Sequence, residues 1–257
     1  MDSKVLNMTT QQLLAPFRRA INDYDMIQEG DCIAVGVSGG KDSLTLLALL
    51  HAYARFCPQH FTIKAFTIDL GFEGADYSRI EQYCVNLGIE YHVEKTTIGQ
   101  AIFEKTPNNP CSLCSKMRRG ALNTLLLKHG CNKLALGHHA DDVIETFFLS
   151  LLYEGRLSTF APISYMSRTG VTVIRPLIYV EEWQIASYAK DLPVYANPCP
   201  ADKNTQREYM KQLIKTLNQN ITNSKQSIIG AVENADRYNL WDNMLEKYRQ
   251  ELKLPDE

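Results

Sequence analysis

The chain has 257 residues, 45% of them hydrophobic and 22% charged, with a formal net charge of −2 at neutral pH. That length holds one large α/β domain with appendages or two small domains, and the balance is that of an ordinary globular protein. The net charge does not suggest a general nucleic-acid binder but leaves room for a local basic patch, which Lys116, Arg118 and Arg119 supply. No apolar run approaches the roughly 18 residues that span a bilayer, and the polar start around Asp2 and Lys4 lacks the pattern of a signal peptide. A cytoplasmic location without a membrane partner is the expectation.

In chain order, a helical pattern runs from about Thr9 to Ile27 and ends near Gly30. Strand candidates follow at Cys32 to Val37, Thr62 to Asp69, Glu90 to Glu94, Lys133 to Leu136 and Val171 to Arg175. Helical candidates lie between them at Ser43 to Phe56, Tyr77 to Asn86, Ser115 to His129 and Asp141 to Tyr153. Strands alternating with helices predict an α/β fold with a doubly wound, mainly parallel sheet. The C-terminal stretch reads as helices with a break around Asn218 to Asn223. The expected division is an N-terminal helical segment at 1–30, a catalytic domain at 31–200 and a C-terminal helical extension at 201–257.

In such sheets ligands sit beyond the carboxyl ends of the strands, and three informative segments fall there. The run Ser38-Gly39-Gly40-Lys41-Asp42-Ser43 follows the first strand and opens a helix. Two glycines let the backbone bend and approach a ligand, while the N–H groups and dipole of a helix start favour an anion. Lys41 adds a positive charge and Ser43 a hydroxyl. The spacing differs from the Walker A pattern. Asp69 ends the second strand and is a candidate for recognising a nucleoside. Gly137-His138-His139-Ala140-Asp141-Asp142 follows the fourth. Asp141 is a candidate catalytic or Mg²⁺-linked acid, whereas Asp142 suits a helix cap. The two histidines suit either loop hydrogen bonding or substrate contact.

Of seven cysteines, Cys111 and Cys114 form a C-x-x-C pair after Pro107-Asn108-Asn109-Pro110, on an expected loop leading into a helix. Cys199 stands between Pro198 and Pro200, where two prolines restrict the backbone. In a reducing compartment these thiols read as metal-binding or catalytic rather than as a disulfide framework. Three thiolates fit a cluster or metal with one open position. A redox dithiol, or a structural zinc completed by His138, His139 or Asp202, are the other readings. Cys32, Cys57, Cys84 and Cys131 read as small buried hydrophobes. Arg118 and Arg119 follow the pair by about one helical turn, placed for phosphate contact or as a solvated basic face.

The phosphate run resembles the PP-loop of ATP pyrophosphatases. Together with Pro110 to Gly120, Gly137 to Asp142 and Arg175-Pro176-Leu177, it resembles the TtcA group of tRNA thiolases over about residues 30 to 210. The group commonly carries a second C-x-x-C where this chain has Cys199-Pro200-Ala201-Asp202, and often a basic residue where Ala140 stands. The resemblance implies ATP-dependent 2-thiolation of a cytidine in the tRNA anticodon loop, with a 4Fe-4S cluster held by Cys111, Cys114 and Cys199. The implied cycle has the base oxygen attack the α-phosphate of ATP, so that the oxygen leaves as part of AMP when sulfur arrives. Ser38, Gly39, Gly40, Lys41, Asp42, Ser43 and Gly137 would surround the nucleotide with Mg²⁺ at Asp42, and Lys41, Arg118 and Asp141 would serve catalysis. Expected partners are tRNA, a sulfur donor such as a cysteine desulfurase, and a second copy in a homodimer. The alternative is a PP-loop adenylating enzyme with zinc or a redox dithiol, acting on another tRNA base or a small acceptor.

Overall fold

Short apolar runs become the strands of one sheet: β1 (Cys32–Gly36), β2 (Thr62–Asp69), β3 (Glu90–Lys95), β4 (Lys133–Ala135), β5 (Ile163–Met166) and β6 (Val171–Ile174). The structure, a computed structural model, describes residues 8–105, 110–195, 206–237, 240, 248 and 250–252, with the backbone alone described at 103–105 and 110–112. The strand order is β3-β2-β1-β4-β6-β5, with every pairing parallel except β5 with β6. After β1 the chain builds outward through β2 and β3, then returns to place β4 on the other flank of β1. This reversal opens a crevice at the carboxyl ends of β1 and β4.

The helices are α1 (Thr10–Asp23), α2 (Lys41–Ala54), α3 (Ser78–Leu87), α4 (Ile98–Lys105), α5 (Pro110–Lys128), α6 (Ala140–Glu154), α7 (Glu182–Tyr188), α8 (Gln206–Asn220) and α9 (Ser224–Glu233). Two cores cover the two faces of the sheet. One gathers Leu13 and Phe17 of α1, the leucines of α2, Ile80 of α3 and Ile185 of α7. The other gathers Ile98 and Ile102 of α4 and Leu122, Leu125 and Leu126 of α5 against Phe66, Leu134 and Val173. Leu44, Leu46, Leu47, Leu49 and Leu50 are all fully buried, so α2 is apolar around its circumference and anchors the loop before it.

The structure adds elements absent from the sequence expectation and moves boundaries: α1 ends at Asp23 instead of running to Ile27, and α5 starts at Pro110 instead of Ser115. The four-residue β5 and the short α4 and α7 are too brief to show a period. The C-x-x-C pair does not stand on a loop, because α5 begins at Pro110. Proline suits the first helical position, where its missing N–H costs nothing. The C-terminal break is present: α8 ends at Asn220, and Asn223 adopts φ 59° before α9. Cys84 and Cys131 are buried, but Cys32 and Cys57 are partly exposed. Cys32 is the first residue of β1, its sulfur 2.9 Å from that of Cys131, and the Cys57 thiol donates to the Gln59 side-chain oxygen.

Candidate active site

The loop between β1 and α2 is closed by its own hydroxyls. The Ser43 hydroxyl donates to the Gly40 carbonyl (3.0 Å) and accepts from the Ser38 N–H (3.1 Å), and the two serine oxygens lie 3.2 Å apart. Gly39 has φ +83°, and Gly40 caps the helix in an extended conformation. A methyl at Gly39 would sit 3.2 Å from the Tyr195 side chain, whose backbone N–H donates to the Gly39 carbonyl at 2.9 Å. From the opposite side, a methyl at Gly137 would lie 3.0 Å from the Asp42 carbonyl oxygen. Glycine at 137 lets the β4 loop touch the first turn of α2 backbone to backbone, and glycine at 39 lets the phosphate loop lie close against Tyr195.

Between these loops and α5 lies a cleft of about 530 Å³. Ser38, Asp42 and Ser43 line it from the first loop, Gly137, His138 and Asp142 from the β4 side, and Cys114, Ser115, Arg118 and Arg119 from α5. An apolar wall of Phe66, Ile68, Leu70, Phe72 and Ile102 completes it. Burial pushes the His138 imidazole down to about 4, so it is uncharged at neutral pH, and its ring packs on Phe160. Arg175 stands next to this group and is 8% exposed. Its guanidinium donates to the Ala161 carbonyl at 2.6 Å and lies over Phe160, while its Nε has no hydrogen-bond partner and no carboxylate pairs with it among the described residues. Burial, then repulsion from Arg119, lowers its pKa to about 10, and it remains a cation.

Five described residues of the expected site are not part of the cleft wall: Gly39 and Gly40, which shape the loop, and Lys41, Asp69 and Asp141. Lys41 turns to Asp42 (2.9 Å) and Glu182 (3.1 Å). Asp69 accepts the Gly71 N–H at 2.9 Å. Asp141 is buried at the start of α6, where its carboxylate meets Lys225 of α9 (2.5 Å) and the Glu182 N–H (2.7 Å). Burial alone would push that carboxyl up, but Lys225 and the Glu182 N–H outweigh it and hold it below the usual range. The neighbouring Asp142, read from the sequence as a cap, does cap α6 by accepting the His139 N–H, and it also lines the cleft and pairs with Arg207. Adjacent helical residues differ by 100° in direction, and only the assembled fold tells which one faces the ligand.

The cysteines fit a cluster as far as they are described. Cys114 lines the cleft, and Cys111 stands three residues earlier in the same helix, a spacing that puts both on one helical face. The Cys111 side chain and all of Cys199 lie outside the described residues. Tyr195, tied to Gly39, precedes Cys199 by four positions. Soft thiolate donors beside a phosphate-binding loop suit iron and sulfur.

A mainly parallel sheet whose first strand breaks into Ser-Gly-Gly and opens a buried helix defines a PP-loop nucleotide-binding protein, and the family model described as PP-loop domain matches residues 6–221. The tRNA-cytidine(32) 2-sulfurtransferase of Geobacter metallireducens is 42% identical over 235 residues, 89% of this chain and 91% of that protein. The same enzyme of Pelobacter propionicus is 40% identical over 259 residues, 95% of this chain and 96% of that one. Among solved structures, the U34-tRNA thiolase NcsA from Methanococcus maripaludis, with its 4Fe-4S cluster, superposes with a TM-score of 0.71 at 26% identity, covering 90% of this chain and 81% of that chain. The chain belongs to the tRNA-cytidine 2-sulfurtransferases, ATP-using PP-loop enzymes of tRNA thiolation.

Proposed function

We propose that this chain uses ATP to activate the C2 carbonyl oxygen of a cytidine in a tRNA anticodon loop and exchanges that oxygen for sulfur, releasing pyrophosphate and AMP. The observation that carries this reading is the single cleft shared by the Ser38 loop, Cys114 and the Arg118–Arg119 pair. Phosphates, a thiolate-held group and an RNA backbone can meet there. Oxide is a very poor leaving group, so the oxygen must first become part of a phosphate ester. The base oxygen attacks the α-phosphorus and the bond to the β-phosphate oxygen breaks, expelling pyrophosphate. Sulfur then adds at C2, and AMP departs with the original oxygen.

The backbone N–H groups at Gly39 and Gly40 and the hydroxyls of Ser38 and Ser43 hold the phosphates. Lys41 exchanges Glu182 for phosphate oxygens as charge develops, and Asp42 holds Mg²⁺. The apolar wall from Phe66 to Ile102 takes the adenine, with Asp69 shaping the Gly71 turn beside it. Arg118 and Arg119, with Arg175 behind them, attract phosphate. Asp141 acts as a positioning residue, fixing α6 through Lys225 so that Gly137 and Asp142 face the nucleotide. Cys111, Cys114 and Cys199 hold the 4Fe-4S cluster, which would supply the place where sulfur is carried. The catalytic domain at 31–200, its cytoplasmic location, a homodimer and a cysteine desulfurase as sulfur source belong to the same reading. Among the described residues no helix is long and apolar enough to cross a membrane.

The test is nucleoside mass spectrometry of tRNA from a strain lacking the gene, complemented by the wild type or by Cys199→Ala. Loss of 2-thiocytidine that the wild type alone restores is expected. Unchanged 2-thiocytidine in the deletion strain removes the substrate assignment, and full restoration by Cys199→Ala removes the third ligand.

A further inference from the structure

Edge strand β3 and the end of α5 carry a second cluster of metal-ligating side chains outside the cleft lining, with Phe66 standing between the two. Glu90 and His92 lie two apart on β3, an alternation that puts both on one face of the sheet. His129 follows α5, which covers that face, and comes down beside them. The His92 Nε2 lies 2.5 Å from Glu90 Oε1, and the His129 Nδ1 is 3.7 Å from the same oxygen. The two imidazole centroids are 3.9 Å apart, and Phe66 closes the site from beneath at 5.4 Å from each ring. One donor atom from each of the three residues falls within 4.8 Å of the others. Tetrahedral zinc with bonds near 2.1 Å needs its ligand atoms about 3.4 Å apart, a difference that side-chain rotation covers.

We propose that Glu90, His92 and His129 form a three-ligand site for a borderline divalent ion such as Zn²⁺, pinning the far end of α5 to the edge strand β3. Two imidazole nitrogens with one carboxylate favour zinc, nickel or copper over magnesium or calcium, which prefer oxygen. The side chains are 48%, 30% and 21% exposed, respectively, so an ion reaches them from solvent and water completes its shell. Lys64 opposes the site. Its ammonium bonds the other Glu90 oxygen at 2.9 Å and repels a second cation. Removing that charge should therefore tighten binding, a result that a purely hydrogen-bonded surface network would not give.

The experiment titrates Zn²⁺ alone into the anaerobically purified, cluster-loaded protein. Calorimetry reads affinity, elemental analysis after dialysis reads zinc and iron, and thermal melting reads stability. The expected result is one zinc per chain with iron unchanged and a zinc-dependent rise in Tm. His129→Ala should weaken binding by about tenfold or more and remove the Tm response, while Lys64→Met should tighten it. Should His129→Ala fail to fold, Glu90→Gln, nearly isosteric and on an exposed edge, serves the same comparison. Zinc uptake that is absent in the wild type, survives these substitutions, or comes with loss of iron overturns the assignment.

Discussion

Gly39 and Gly137 occupy backbone positions where one methyl group has different costs. At Gly39 the left-handed φ of +83° strains any L-residue by about 1–2 kcal/mol before the 3.2 Å contact with Tyr195 is counted. At Gly137 no dihedral forbids alanine, and the obstacle is the Asp42 carbonyl at 3.0 Å. Gly137→Ala should therefore move the phosphate loop and lower AMP formation on the order of 100-fold, with a smaller loss of Tm than Gly39→Ala causes. Steady-state AMP release and thermal melting of both variants check this, and equal melting points would contradict the distinction. The thiols separate in the same way. Burial pushes Cys84 up to about 11 and Cys131 up to about 12, so neither forms thiolate near neutrality. Iodoacetamide at pH 8 should leave both unmodified in the native protein, as read by peptide mass spectrometry.

At the scale of elements, α8 and α9 place cations against an acidic patch formed by the starts of α6 and α7. Arg207 meets Asp142 and Glu145, Lys211 meets Glu145 and Glu182, and Lys225 meets Asp141 and Glu181. Asp141→Asn leaves Lys225 without its closest partner, and an expected loss of about 3 kcal/mol would appear in urea unfolding. Because the folded pKa of Asp141 is depressed, this contribution is present above the unfolded value near about 3.9 and disappears as pH falls through the lower folded value. Glu145 behaves oppositely. Its cations are 3.7 and 4.0 Å away and its Oε2 lacks a hydrogen bond, so burial wins and raises its pKa from 4.5 to about 7. The folded state binds the extra proton across that window, and stability falls as pH rises through it. Glu145→Gln should stabilise the protein by about 2–3 kcal/mol at pH 8 and flatten the profile between these values. An unchanged slope would show that the buried carboxyl is not its source.

These same elements separate what local sequence encodes from what it does not. The Ser38 loop is legible because its chirality needs glycine and its helix start needs small polar groups, both local demands. The alternation of strands and helices is legible for the same reason. Lys225 lies 84 positions from Asp141 and Arg207 lies 65 from Asp142, so nothing near the two aspartates announces their different partners. Nothing near Lys41 in the sequence announces that Glu182 of α7 pairs with it. Arg175 reads as part of a short motif, and only the fold leaves it buried without a counterion.

For the whole molecule, a net charge of −2 hides an uneven distribution. The acidic starts of α6 and α7 are neutralised internally by the C-terminal helices, so the cleft presents Arg118 and Arg119, backed by Arg175, to solvent. On the proposed function, tRNA affinity should fall as salt rises, and Arg118→Ala with Arg119→Ala should reduce the log–log salt slope by about 1.5. A slope left unchanged in filter-binding titrations would place the RNA on another face.

The contact between Gly137 and Asp42 bears on how that cleft meets its ligand. Backbone atoms have no rotamers, so the spacing between these two loops is a fixed gauge instead of an adjustable grip. The nucleotide enters a mould whose width was set during folding, and the free energy that a mobile loop would lose on closing is retained for the reaction itself.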